Sequence, residues 1–418
     1  QEKGGDYTVK DGTEQANTEY DRNAFSGGYG YQRAGHEFGL NYSNTDLGTT
    51  GTPALPMDIN YVKGGLWDMH HDWDMGNDIS LKTDVFYQKM RHLMSNNILR
   101  TPTNAMTNRT KVEAGGISMA LAMPFNSGQL TVGVDGDQSN HDANSTMTMM
   151  GGTSATNYFN KVERDRYSIF TEWAGAVSED ISVELGARYT HTWSDAGDVS
   201  SEIAMGAKSR TNARNAFNAL ERTKNYNLVD LVAELQFNAS SELDVNVGVA
   251  RKNRAPTYQE LYLWYGSAAN AGFADGKTYI GDTGLEAETA YQFDLGLDWH
   301  TADVYVAPNV FYHYVEDYIM GQTSIKAQGG TGNDYDADLQ WSNIGGAQFF
   351  GAELEAGYKF TDHIRTDASL NYVRGMRINA LNGDDDLYRI APLNGRLQLT
   401  YEESNWSTSM EGVFVADQ

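Results

Sequence analysis

Apolar and polar residues alternate along most of this chain, and the alternating stretches come in pairs. In Leu130-Thr-Val-Gly-Val-Asp-Gly-Asp137, Leu130, Val132 and Val134 fall on one face, and Thr131, Gly133 and Asp135 fall on the other. Ile181-Ser-Val-Glu-Leu-Gly-Ala-Arg-Tyr189 and Val304-Tyr-Val-Ala-Pro-Asn-Val-Phe-Tyr312 read the same way. Period two predicts strands near 4–10, 18–33, 35–47, 64–75, 79–93, 109–123, 128–139, 161–176 and 181–193. Further strands fall near 225–238, 243–252, 288–300, 303–316, 347–359, 364–377, 388–401 and 405–417, about seventeen in all.

The links between strands are of two kinds. Ser178-Glu-Asp180, Ala239-Ser-Ser-Glu242, Thr301-Ala302, Thr361-Asp-His363 and Glu403-Ser404 are short turns. The segments near 48–63, 94–108, 140–160, 194–224, 253–287 and 317–346 are long and rich in Gly, Asn, Asp and Thr. They exceed ordinary loop lengths. Short turns at one end and long loops at the other are the layout of an all-β transmembrane antiparallel barrel, with periplasmic turns and extracellular loops. The polar face carries charge in strand after strand, as at Lys82, Asp84, Asp294 and Asp298. A wide barrel hydrates such an interior, and so many strands need closure to avoid exposed edges.

Composition fits this picture. The 418 residues show no shift that would divide them, so residues 1–418 are read as one unit. No run of about eighteen apolar residues marks a transmembrane helix. Aromatics are nonetheless abundant, with 25 Tyr, 8 Trp and 15 Phe, as interfacial belts require. Gly is frequent at 43 and Pro scarce at 7, which suits ladders that Pro would interrupt. The net charge of −25 argues against nucleic acid and suits either attraction of cations or simple solvation of loops. With no Cys, thiol catalysis, disulfides and Cys-ligated zinc are excluded within these residues. The chain opens on Gln1-Glu-Lys-Gly-Gly5 and stops just after a strand, which gives the expectation of a piece of a longer protein.

Three motifs could carry chemistry. Along the predicted strand from Ile79, parity puts Met90, His92 and Met94 on the lumen side, so imidazole and thioether lie side by side. Thioether is a soft ligand that favours Cu(I), and imidazole suits copper. Two donors do not close a site, an isolated His-x-Met also arises by chance, and a bulge at the strand end would break the parity. Methionine recurs in polar loops: Met147, Met149 and Met150 in one cluster, with Met57, Met69, Met75, Met106, Met205 and Met320 in or near loops or strand ends. These are either metal-handling groups or adaptable packing. In Met69-His-His-Asp-Trp-Asp-Met75, His70 and His71 fall on opposite faces and cannot easily share an ion. No nucleophile elbow, phosphate loop, dinucleotide fingerprint or zinc-protease motif appears, so the chain does not read as an enzyme. A weak helical pattern surrounds Ala213-Arg-Asn-Ala-Phe-Asn-Ala-Leu-Glu221.

Arg254-Ala-Pro-Thr-Tyr-Gln-Glu-Leu-Tyr-Leu-Trp264 resembles a segment of TonB-dependent outer-membrane receptors, in the form found in their copper-receptor group. Ala274-Asp-Gly-Lys-Thr-Tyr279, Gly281-Asp-Thr-Gly-Leu-Glu-Ala-Glu288, Gly51-Thr-Pro-Ala-Leu-Pro-Met-Asp58 and Asp385-Asp-Leu-Tyr-Arg-Ile-Ala-Pro392 are similar to the same group. The resemblance implies a barrel of about 22 strands with an N-terminal plug inside it, in the outer membrane of a Gram-negative cell. It implies energy delivered through the TonB complex, and copper as the transported ligand. In that group a barrel His-x-Met pair joins a Cys and a Met of the plug around one copper ion, and His92 and Met94 match the barrel half. Plug, TonB-contacting box and terminal aromatic strand are not found in this sequence, so the expectation is a barrel portion that does not transport alone. An iron–siderophore receptor is the alternative within transport, with Tyr258, Tyr262 and Trp264 as loop residues that would hold a chelate. An outer-membrane adhesin or docking barrel is the alternative outside it.

Overall fold

A computed structural model describes residues 1–149, 152–202, 214–264, 277–323, 339–378 and 385–417. Its wall is built from sixteen long strands. They are β1 (Tyr20–Arg33), β2 (His36–Leu47), β3 (Asp58–Gly76), β4 (Ile79–Ser95), β5 (Ala105–Phe125), β6 (Gly128–Met149), β7 (Gly152–Ala176) and β8 (Ile181–Asp195). They continue as β9 (Lys224–Ser240), β10 (Leu243–Arg254), β11 (Glu288–His300), β12 (Val304–Glu316), β13 (Gly346–Lys359), β14 (Ile364–Arg377), β15 (Asn394–Glu402) and β16 (Ser407–Val415). Each pairs antiparallel with the next, and two short pieces, Glu2–Gly4 and Ser201–Glu202, complete an 18-stranded sheet. Among the described residues β16 has register only with β15, so the sheet is not closed there.

Alternation becomes two faces. On one face Val134 and Ile169 are 48% and 54% exposed, beside the exposed Ile117, Met119 and Leu185. Such a surface is stable against hydrocarbon, not against water. The other face is polar and paired across strands. Arg188 donates two 2.6 Å bonds to Asp135, Arg166 reaches Asp137 at 2.6 Å, and Ser168 meets Thr190 at 3.1 Å. Where a ring lies on this inner face, the neighbouring strand gives way. A Cβ at Gly133 would stand 2.3 Å from the Phe170 ring, so the ring lies flat on the wall only because Gly is there.

The outer face also sets the membrane level. Tyr42, Trp67 and Tyr87 stand in one cross-strand row, with the first two rings 4.4 Å apart. Between Ile79 at the short-turn end and this girdle, Leu81, Val85 and Tyr87 alternate with inward residues. That stretch of nine residues matches the roughly 9–11 needed to cross at a tilt. The Ala34-Gly35 turn uses positive φ at both residues, as a tight hairpin demands.

Some expectations change. The first predicted strand, near 4–10, is not continuous: Glu2–Gly4 joins the wall, while Tyr7–Thr8 pairs with Glu14–Gln15 outside it. The predicted loop near 140–160 is instead the top of a tall hairpin, because β6 and β7 run to Met149 and from Gly152. Beyond the membrane both faces of a ribbon are polar, so its ladder leaves no alternation to read. The loops near 48–63 and 94–108 shorten for the same reason. Residues 214–218 are helical, within the segment where a helix was expected.

Candidate ligand site on the inner wall

The motif that carried the resemblance is a structural joint. Arg254, last residue of β10, donates to Glu288 at 2.6 Å and to Glu260 at 2.8 Å. Thr257 caps the short helix α1 (Tyr258–Tyr262) through a capping box, its hydroxyl accepting from the Glu260 N–H while the Glu260 carboxylate accepts from the Thr257 N–H. The helix turns the chain back over the barrel mouth. Leu261, Tyr262 and Leu263 close against Tyr158, Phe159, Val162, Tyr226 and Tyr279, an apolar core under the loops. Trp264 packs on Phe217 and Ile280.

This decides the places of the predicted loop aromatics. Tyr262 and Trp264 are 1% and 0% exposed. Tyr262 donates to the Arg222 carbonyl at 2.8 Å, and burial pushes its hydroxyl far above its ordinary pKa. Both side chains are committed to packing. Tyr258 keeps exposed surface and stacks on His141 with ring centres 3.9 Å apart.

The His-x-Met pair stands on β4, beyond the girdle on the long-loop side. The nearest register shift falls on β3, between Ile59 and Tyr61, and β4 pairs without interruption with β5 through Ser95. Met90, His92 and Met94 therefore share the inner face. Their cross-strand neighbours are Gly64 and Val112, Val62 and Thr110, and Ile59 and Asn108, respectively. Met94 is 6% exposed and Met90 46%. His92 Nε2 is buried with no hydrogen-bond partner among the described residues. Burial holds its imidazole below the usual pKa, which favours the neutral ring, the form that can offer a lone pair to a metal.

Above the pair, Asp58 fixes the rim. It is fully buried and accepts two bonds from Arg100, at 2.7 and 2.8 Å, which tie the start of β3 to the segment after β4. Burial pushes the Asp58 carboxyl up, and Arg100 with the Thr52 N–H more than offsets it, leaving the pKa below the ordinary range. Met147 and Met149 sit on β6, in a strand and not in a loop. Met147 is the direct cross-strand partner of Met106, and alternation puts both on the face that carries Met94. Met150 lies outside the described residues, as does Met205. His70 turns inward over Gly39, whereas His71 turns outward and stacks on His36, with nitrogens 3.2 Å apart. Among the described residues no group of three or more His, Asp or Glu assembles as a metal site. The inner-wall candidate is thus a two-donor set with thioethers beside and above it. Sequence reasoning missed the Arg254–Glu260–Glu288 joint and the Arg100–Asp58 clamp, since no periodicity marks partners 34 or 42 positions apart.

No curated protein matches the chain in sequence. Among solved structures it is similar to the copper transporter OprC, with TM-score 0.79 and 20% identity, over 99% of this chain and 61% of that one. It is also similar to the ferric citrate transporter FecA in its unliganded form, with TM-score 0.69 and 13% identity, over 96% and 58%. The ferric yersiniabactin uptake receptor FyuA from Yersinia pestis aligns with TM-score 0.59 and 14% identity, over 97% and 60%. The chain thus spans about three-fifths of the length of these proteins. At such identities the likeness shows the fold. The family model described as TonB dependent receptor-like, beta-barrel matches residues 8–417, and the chain belongs to that family of Gram-negative outer-membrane proteins.

Proposed function

We propose that this chain is the barrel wall of a TonB-dependent receptor that takes up copper across the outer membrane. The reading includes a plug domain and a TonB contact supplied outside these 418 residues. One observation carries the choice of copper: a buried imidazole nitrogen of His92 without a hydrogen-bond partner among the described residues, two residues from the buried thioether of Met94 on one inner face. An uncommitted nitrogen in a dry place is costly unless something binds it. Imidazole with thioether is a soft donor set that copper satisfies and hard cations do not. Met90 on the same face, and the Met106–Met147 pair above it, are further soft donors along the way in. Copper is the cargo here, held briefly between wall and plug. Movement of the plug under TonB then opens the path to the periplasm.

In the receptor expressed from its complete gene, His92→Ala with Met94→Ala should cut bound copper strongly, by elemental analysis, while the barrel keeps its heat-modifiable gel mobility. Unchanged copper content would remove the site. The neighbours that carry ferric citrate and ferric yersiniabactin in their names support an iron-chelate receptor as the second reading. Growth that depends on the receptor under iron limitation, and not under copper limitation, would select it.

A further inference from the structure

We propose that an outward patch of Lys63, Lys89, Arg91, Lys111 and Arg109 binds the phosphate-bearing headgroup of an outer-leaflet lipid. The patch lies on the opposite face of β4 from His92 and is independent of the cargo. Cross-strand register places Lys63 beside Arg91, and Arg91 beside Lys111, in one row across β3, β4 and β5. Lys89 stands one row nearer the girdle, and Arg109 one row farther from it. Five of the chain's 31 basic residues thus gather on three adjacent strands of a protein with net charge −25.

Like charges directly opposite one another destabilise a sheet, so the row needs an anion. The protein supplies only part of it. Asp46 reaches Lys63 at 3.5 Å, Glu113 bridges Lys89 and Lys111, and Asp142 of β6 stands opposite Lys111 at the end of the row, three carboxylates against five basic groups. Arg91 and Arg109 are exposed, and their side chains have no ion pair or hydrogen bond among the described residues.

The level selects the anion. Tyr42, Trp67 and Tyr87 mark the headgroup boundary, as amphipathic rings do. Lys89 and Arg91 follow Tyr87 by two and four residues on the same face, about 7 and 13 Å along the strand. They lie on the long-loop side, hence at the outer leaflet. Below the girdle this face is apolar and touches acyl chains, so what meets the patch is the polar end of the same lipids. Guanidinium and ammonium groups at that depth fit phosphate oxygens.

The test uses the complete receptor in detergent, with diphosphoryl lipid A as the probe and native mass spectrometry as the readout. The triple variant Lys63→Gln, Arg91→Gln, Lys111→Gln should bind the probe at least about tenfold more weakly, the loss expected from removing charge-assisted contacts. Arg91→Gln alone should fall between. Lys359→Gln, at the short-turn rim, should bind like the parent. Copper content should stay unchanged in all of them, which separates this proposal from the reading of His92 and Met94. Equal binding by the triple variant, equal binding of dephosphorylated lipid A, or displacement by millimolar inorganic phosphate would each overturn it. If the triple variant loses the heat-modifiable mobility of a folded barrel, Arg91→Gln decides the matter by the same criterion.

Discussion

Two sectors of one wall finish their extracellular ends differently. From β3 to β7 the strands are 17 to 25 residues long and rise as ribbons far above the membrane. From β10 to β13 they are 12 to 14 residues long and give way to α1 and to a separate three-stranded sheet of Tyr279–Ile280, Leu339–Asn343 and Ile319–Thr323, packed as a roof in one core with Leu261 and Tyr262. In the tall sector the backbone is satisfied by the ladder itself, and only Ala143, Tyr158, Phe159 and Val162 of β6 and β7 are drawn into the apolar core of the neighbouring sector. In the roofed sector the chain leaves the ladder, and its aromatic residues go into a core that holds the loops down. The soft donors and the basic row accordingly lie in the tall sector, while Tyr262 and Trp264 are used up as packing.

The largest expected effect is on the roof. Tyr262→Ala removes a fully buried ring and its bond to Arg222, and should destabilise that sector by about 4 kcal/mol. Limited proteolysis should then cut within 255–287 while the β6–β7 hairpin stays resistant. Equal resistance in the variant would mean that the roof is not a cooperative core. Next, Arg100→Ala leaves Asp58 buried and unpaired, which should cost about 3 kcal/mol and loosen the segment ahead of β3 in hydrogen exchange. Third, Val134→Arg puts a charge in the lipid-facing band and should cost about 2 kcal/mol or more in refolding titrations. Ser118→Arg, inward beside Asp135 and Asp84, should cost little. Similar costs at both positions would contradict the assignment of faces. The smallest effect is on pH. Asp58 titrates below its ordinary value when folded, so its contribution is complete above about pH 4 and is lost as pH falls through the folded value. The Arg100→Ala difference should therefore shrink on acidification.

How much of this was legible depends on whether a residue faces oil. Leu81, Val85 and Tyr87 against Lys82, Asp84 and Gln88 declare both strand and face. Met147 and Met149 did not, because above the membrane water lies on both sides and a strand looks like a polar loop. The inward direction of His92 and Met94 followed from parity once the strand was counted. That no bulge intervened was a fact about β4 and its neighbours, which the sequence does not encode locally. The motif from Arg254 to Trp264 was recognisable as a string, but its work as a joint appears only when Glu288 arrives from 34 residues away.

By itself, then, the sequence determined an antiparallel wall with one apolar and one polar face, its short and long ends, and soft donors on one inward parity. Those depend on neighbours in the chain and on the two solvents that a barrel separates. Tertiary structure decided which of those donors lost their water, which aromatics became a roof, and which basic residues came to stand side by side. Burial and cross-strand proximity are made by segments distant in sequence, and a two-residue period carries no record of which strands will meet.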